Sequence, residues 1–176
     1  MIIADFGVSA ANPSVLSLAT NVKTNFMAPG LSTPSATDAT GQLTLPSGFN
    51  GQRLKVVLAG DITTGDVLNS TIYLRANTGT LLAPVYQDIA FAPHVADPAG
   101  TFPWFIVAEF EGTTASLRIG GDFEAVMDNS MVQQILSTKL SGYDINTGLG
   151  LVAAVRFSTA NPGNSASLYQ FQILSE

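Results

Sequence analysis

Few residues in this chain could do chemistry. There is one histidine, His94, in the stretch Ala92-Pro93-His94-Val95, and there is no cysteine. A nucleophilic triad needs a base beside its serine, and no G-x-S-x-G elbow presents such a serine. A zinc site with one histidine and no thiolate would need three carboxylates, an uncommon set for that ion. The lack of cysteine also removes disulfides and a thiol nucleophile. His94 reads as a loop histidine with no catalytic role.

Paired carboxylates are the stronger catalytic pattern. Glu109, Glu111, Asp122 and Glu124 fall on two successive strand-like segments. Two carboxyl groups ~5–5.5 Å apart would suit retaining glycoside hydrolysis, and a wider pair inverting hydrolysis. The hairpin register argued below puts Glu109 and Glu111 near the turn and Asp122 and Glu124 at the far end, too distant to share one sugar. They read as solvated strand charges. Asp61, Asp66 and Asp128 lack the D-x-D-x-D-G spacing of a calcium loop. No P-loop or G-x-G-x-x-G occurs, and Gly120-Gly121 is expected to let Trp104 pack closely. Asn69-Ser70-Thr71 matches a glycosylation sequon by chance. Trp104, Tyr73, Tyr86, Tyr143 and Tyr169 could form a sugar-stacking platform, but burial in a core is the more ordinary role, for Trp104 above all. No catalytic residue, cofactor or metal ligand is expected.

Composition narrows the class. Of 176 residues, 11% are charged and 46% are apolar. Ordinary soluble domains carry about 25% charge. Mean hydropathy is +0.30. Neutral Ser, Thr and Asn must therefore cover the surface, as in proteins whose surface is covered by neighbours in an assembly. The net charge is −6, and Lys23, Arg53, Lys55, Arg75, Arg118, Lys139 and Arg156 are scattered, so nucleic acid is not an expected partner. The longest apolar runs, Trp104–Ala108 and Leu151–Val155, are five residues long. A membrane helix needs about 20, so no membrane association is expected. The opening Met-Ile-Ile-Ala-Asp-Phe-Gly has neither a basic start nor a long apolar stretch, so export by a Sec signal is not expected.

The elements that must position these residues are mostly strands. Leu54, Val56 and Leu58 alternate with Arg53 and Lys55, and Ile72 and Leu74 alternate with Thr71, Tyr73 and Arg75. Leu149–Phe157 and Leu168–Ile173 continue the pattern, with Tyr169, Phe171 and Ile173 expected to face inward. Roughly eight strands separated by Gly, Asn, Asp and Pro breaks predict an all-β jelly-roll β-sandwich. Phe102–Glu111 and Thr114–Glu124 predict a hairpin closed by Gly112-Thr113. That register pairs Trp104 with Gly121 and Ile106 with Ile119, and leaves Phe105 and Val107 on the opposite face, in need of cover. Ser130 and Gln133 form a capping box, and Val132, Ile135, Leu136 and Leu140 follow helical spacing, which predicts one short helix over Met131–Leu140. Residues 1–40 are rich in loop chemistry and predict an extended N-terminal arm, with the jelly-roll domain over 41–176. On this reading the arm is dispensable for folding and needed for assembly. Its Phe6 and Val8, with Phe105 and Val107, are the interface candidates.

Gly41-Gln-Leu-Thr-Leu-Pro-Ser-Gly-Phe, Leu54-Lys-Val-Val-Leu and Thr71-Ile-Tyr-Leu-Arg look like the opening strands of virus-associated jelly rolls, and Ala166-Ser-Leu-Tyr-Gln-Phe-Gln-Ile looks like the last. With the proline-rich arm, the chain resembles capsid decoration (cement) proteins of tailed bacteriophages over residues 41–174. The resemblance implies a non-enzymatic virion structural protein on the capsid surface, assembled in the host cytoplasm. It also implies a homotrimer whose partner is the major capsid protein. It carries no site residues. The alternatives are a receptor-binding or fibre-tip domain of a virion and a carbohydrate-binding β-sandwich module.

Overall fold

The computed structural model describes residues 1–17, 21–26, 42–45, 53–66, 68–80, 83–96, 99–113, 116–127, 130–140 and 149–175, and from 110 to 149 the backbone alone. Its strands are β1 (Ile2–Asp5), β2 (Ser14–Ser17), β3 (Thr24–Asn25), β4 (Leu43–Leu45), β5 (Arg53–Thr63) and β6 (Leu68–Asn77), then β7 (Tyr86–Ala96), β8 (Thr101–Thr113), β9 (Ser116–Met127), β10 (Ser130–Leu140), β11 (Leu149–Phe157) and β12 (Ser165–Ser175). They form two antiparallel sheets, so the all-β sandwich expected from the alternation is what the chain adopts. The larger sheet runs β1-β12-β5-β8-β9-β10, with β2 also on β12, and the smaller runs β3-β11-β6-β7, with β4 also on β11. The first long strand pairs with the last and the second with the last but one, the nested wrap of a jelly roll.

Alternation decides which side chains meet between the sheets. Leu54, Val56, Leu58 and Ile62 of β5 and Trp104, Ile106 and Ala108 of β8 form one wall. Ile72, Leu74, Leu151, Ala153, Val155 and Phe157 form the other. Removing this apolar surface from water is the main force holding the sheets together.

Three features depart from the sequence reading. The segment expected as a helix is β10, paired with β9 from Ser130↔Met127 to Leu140↔Leu117. A capping box is worth about 1 kcal/mol. An unbroken eleven-residue ladder outweighs it, and β-branched Val132, Ile135 and Thr138 suit a strand. The β8–β9 turn is also displaced. β8 continues through Gly112 and Thr113, and Thr113 pairs with Ser116. Trp104 therefore sits opposite Met127 and Val107 opposite Glu124, with a register shift between Val107 and Glu111. The change spans an even number of residues, so Trp104, Ile106 and Ala108 keep the inward face assigned to them. Finally, Tyr169 faces outward. A β-bulge between Leu168 and Gln170 inserts it into β12, so Phe171 and Ile173 point into the core while Tyr169 and Gln170 both turn out.

The described part of residues 1–40 lies on the sandwich. β1 and β2 run along the same edge of β12, at Ile2↔Leu174 to Asp5↔Gln172 and at Ser14↔Leu168 to Ser17↔Ser165. Between them the chain leaves the edge at Gly7, whose φ of 78° is a conformation that glycine adopts without strain. Gly7 N–H donates to Asp5 Oδ1 at 2.8 Å, and Ser9 and Asn12 close the small excursion. Phe6 packs on Phe171 with tilted rings whose centroids are 5.3 Å apart, and Val8, Leu16 and Phe26 are buried in the same core.

Candidate functional site

The outer face of the smaller sheet gathers an aromatic and charged cluster. On β6, Thr71, Tyr73, Arg75 and Asn77 alternate outward against inward Ile72, Leu74 and Ala76. On β7 a register shift between Leu74 and Arg75 leaves Ile89 and Ala90 both buried and turns Asp88 and Phe91 outward. The bulge therefore aligns Asp88 with Arg75 and Phe91 with Tyr73. Arg75 Nε donates to Asp88 Oδ1 at 2.9 Å, and Lys23 Nζ donates to Asp88 Oδ2. One carboxylate thus joins two cations.

Each cation is held against a ring. Lys23 Nζ lies 3.9 Å from the Tyr73 centroid, and the Arg75 guanidinium carbon lies 4.9 Å from that of Tyr86. Such contacts are worth about 0.5–1 kcal/mol at an exposed site and fix the position of the charge. Arg75 Nη1 also donates to Asn25 Oδ1 at 3.1 Å. Asn25 is buried and its Nδ2 has no acceptor among the described residues. The floor under these groups is Val152 and Ala154 of β11, both fully buried although they lie on the outward side. Gln42 Nε2 donates to Tyr86 Oη at 3.2 Å at one end of the strip, and exposed Arg156 donates Nε to Asn21 O at 3.2 Å at the other. Tyr73 and Phe91 ring centroids are 6.3 Å apart, and Phe91 is 46% exposed. A ring left open beside fixed planar polar groups can stack on the C–H face of an amphipathic ligand and hydrogen-bond its hydroxyls.

The larger sheet presents a different outer face. Phe105 and Val107 are half-buried there, opposite Ala59 and Val57 of β5. Lys55 and Glu109 form an ion pair at 3.7 Å beside them. Tyr169 Oη donates to Asp61, and burial, with the Asp61 hydrogen bond and charge added, pushes the phenol up to about 12. Gln172 Nε2 donates to Asp5 Oδ2 at 2.7 Å and Gln170 Nε2 to Gln172 Oε1 at 2.9 Å.

The sequence-derived candidates are thus dispersed. Phe105 and Val107 share one outer face, whereas Phe6 and Val8 are corrected to core residues, because β1 and its excursion close the edge of β12. Trp104 is core, as expected, with its ring tilted against Phe26 at a centroid distance of 6.3 Å and its Nε1 without a partner among the described residues. The glycine that admits it is Gly60, opposite it on β5, and not Gly120-Gly121, which pairs with Ser137 and Leu136. Tyr73 and Tyr86 share the smaller sheet's face with Phe91, which the sequence reading omitted although its strand is apolar on both faces. Tyr143 and Asp128 lie outside the described residues. His94 pairs with Ser70 through the backbone of β7. Glu124 pairs with Val107, two residues along β8 from Glu109, nearer than a turn at Gly112-Thr113 would place it. Among the described residues no group of three His, Asp or Glu side chains could hold a metal ion.

No family model matches the chain, and no curated protein does. Among solved structures it is similar to lectin II from Ulex europaeus, with 7% identity and a TM-score of 0.42 over 93% of this chain and 98% of that one. It is similar also to a legume lectin-like domain from Entamoeba histolytica, with 9% identity and a TM-score of 0.41 over 94% and 91%. A third is the CBM2 module of the evolved Dit of Lactobacillus casei BL23 phage J-1, with 13% identity and a TM-score of 0.37 over 96% and 92%. The two antiparallel sheets make the chain a β-sandwich, and no residue role is carried over from these structures.

Proposed function

We propose that the protein is a non-enzymatic glycan-binding β-sandwich module whose ligand lies on the outer face of the smaller sheet. The observation that carries this is the exposed Phe91 ring beside the Lys23–Asp88–Arg75 network. A sugar ring has one face of C–H groups and a rim of hydroxyls, and this face offers a ring for the first and paired donors and acceptors for the second. It is this face, and not the solved structures named above, that supports a glycan ligand. Binding of the full chain to immobilised glycans tests it. Phe91→Ala is expected to weaken binding at least about tenfold, the scale of one lost aromatic contact, and Phe105→Ala to leave it unchanged.

A second reading is favoured by the other face. Half-buried Phe105 and Val107 beside Val57 and Ala59 form an apolar strip suited to assembly. On this reading the protein is a capsid decoration protein, a homotrimer on the major capsid protein at the virion surface. Phe105→Asp would then place a carboxylate in a dry contact and lower both the sedimentation coefficient and the occupancy on purified particles. A stable wild-type monomer that does not bind particles would remove this second reading.

A further inference from the structure

From the charge and hydrogen-bond balance of the same face, we infer that its ligand is an anionic glycan, a sugar polymer carrying carboxylate or phosphate groups. The inference rests on the glycan-binding reading and adds the ligand's charge. The chain has seven basic residues and a net charge of −6. Three of the seven, Lys23, Arg75 and Arg156, lie on the outer side of the smaller sheet. Among the described residues the only acid on that side is Asp88. A local cationic surplus on an acidic protein is a segregated charge, and it attracts anions over about a Debye length.

The cluster is also short of acceptors. Lys23 and Arg75 share the two oxygens of Asp88, so two cations meet one carboxylate. A neutral sugar brings hydroxyls that both donate and accept, and no charge to set against the two cations. A carboxylate or phosphate brings acceptors alone and makes the stronger, charge-assisted bonds. The cations are held in advance by the Tyr73 and Tyr86 rings, so little side-chain order is lost on binding.

The spacing indicates more than one sugar unit. In the β11–β6 register the rows run Arg156↔Thr71, Ala154↔Tyr73 and Val152↔Arg75. Arg156 and Arg75 therefore flank the Tyr73 row at a separation of about 13 Å, two strand repeats. That span fits an oligosaccharide lying along the strip, with Phe91 beside its middle row.

The test titrates the full-length chain with two matched pairs: polygalacturonate against its methyl ester, and phosphomannan against its dephosphorylated form. At least one acidic member is expected to bind about tenfold or more tighter than its neutral partner and to weaken as salt is raised. Whether carboxylate or phosphate is the recognised group follows from which pair shows the difference. Arg156→Gln, an exposed position that leaves the Asp88 network intact, is expected to weaken acidic binding about five- to tenfold, and Arg75→Gln at least as much. If neutral and acidic members bind within about twofold while Phe91→Ala abolishes both, the anionic inference falls and the glycan reading stands. If acidic binding is unchanged in both arginine variants, the placement of the site is wrong. If none of the four polymers binds, the glycan reading and the inference fall together.

Discussion

At the scale of single residues, two positions carry consequences that can be measured. A Cβ built on Gly60 would lie 1.8 Å from Ser167 O and 2.8 Å from Trp104 Cζ2. The first obstacle is backbone, so Gly60→Ala must push β12 or Trp104 away. A loss of at least about 2 kcal/mol in urea unfolding is expected, and an unchanged midpoint would contradict this packing. Tyr169 carries the second. Its ordinary value is 10.0, and burial first, then the Asp61 hydrogen bond and charge, raise it to about 12 in the folded chain. The folded phenol holds its proton more tightly than the unfolded one. The stability this gives is complete below pH 10 and is lost as pH rises from 10 toward 12. Ultraviolet titration is expected to show one tyrosine ionising late, and Tyr169→Phe to remove it and flatten that limb of the stability profile. Residue types grouped Tyr73 and Tyr86 with Trp104, Tyr143 and Tyr169 as possible stacking rings and favoured burial. Tyr169 was expected inward because the bulge that turns it outward has no residue signature such as glycine.

At the scale of elements, the period-2 pattern was legible wherever one face is buried. Arg53–Thr63 alternates partly buried and buried as its sequence alternates, so β5 is legible from its residues. Legibility failed where a local signal opposed a ladder. Ser130 and Gln133 satisfy a helix-capping rule, yet β9 supplies a partner for every residue of β10. Gly112-Thr113 satisfies a turn rule, yet the ladder continues past it. The strands of the N-terminal segment were not legible for another reason. β1 and β2 are four residues each, too short to show a period, and each is stabilised by an edge of β12 far away in sequence. Packing of Phe6 on Phe171 makes these strands part of the core. Phe6→Ala is therefore expected to cost about 3 kcal/mol. Deleting residues 1–17 should leave the edge of β12 unpaired and the chain unfolded or aggregated, as seen by circular dichroism and light scattering. A fully folded, soluble deletion variant would restore the dispensable arm.

At the scale of the whole molecule, the sandwich has two outer faces of unlike character. One is an apolar strip around Phe105 and Val107, and the other an aromatic and cationic strip around Tyr73, Arg75 and Phe91. Only the first was legible as a site in the sequence, because Phe105 and Val107 are neighbours on one strand. The second is assembled from β3, β6, β7 and β11, whose members are up to 133 residues apart between Lys23 and Arg156, and nothing in local spacing announces it. Low charge content, which suggested a covered surface, does not prevent three of the seven basic residues from meeting on one face. The most direct test of the central claim is the binding of Phe91→Ala and Phe105→Ala, beside the wild type, to whichever of polygalacturonate and phosphomannan the wild type binds. The structure predicts that Phe91→Ala loses at least about tenfold in affinity while Phe105→Ala binds as the wild type does. Binding that survives Phe91→Ala and disappears in Phe105→Ala would contradict the account and move the ligand to the other sheet.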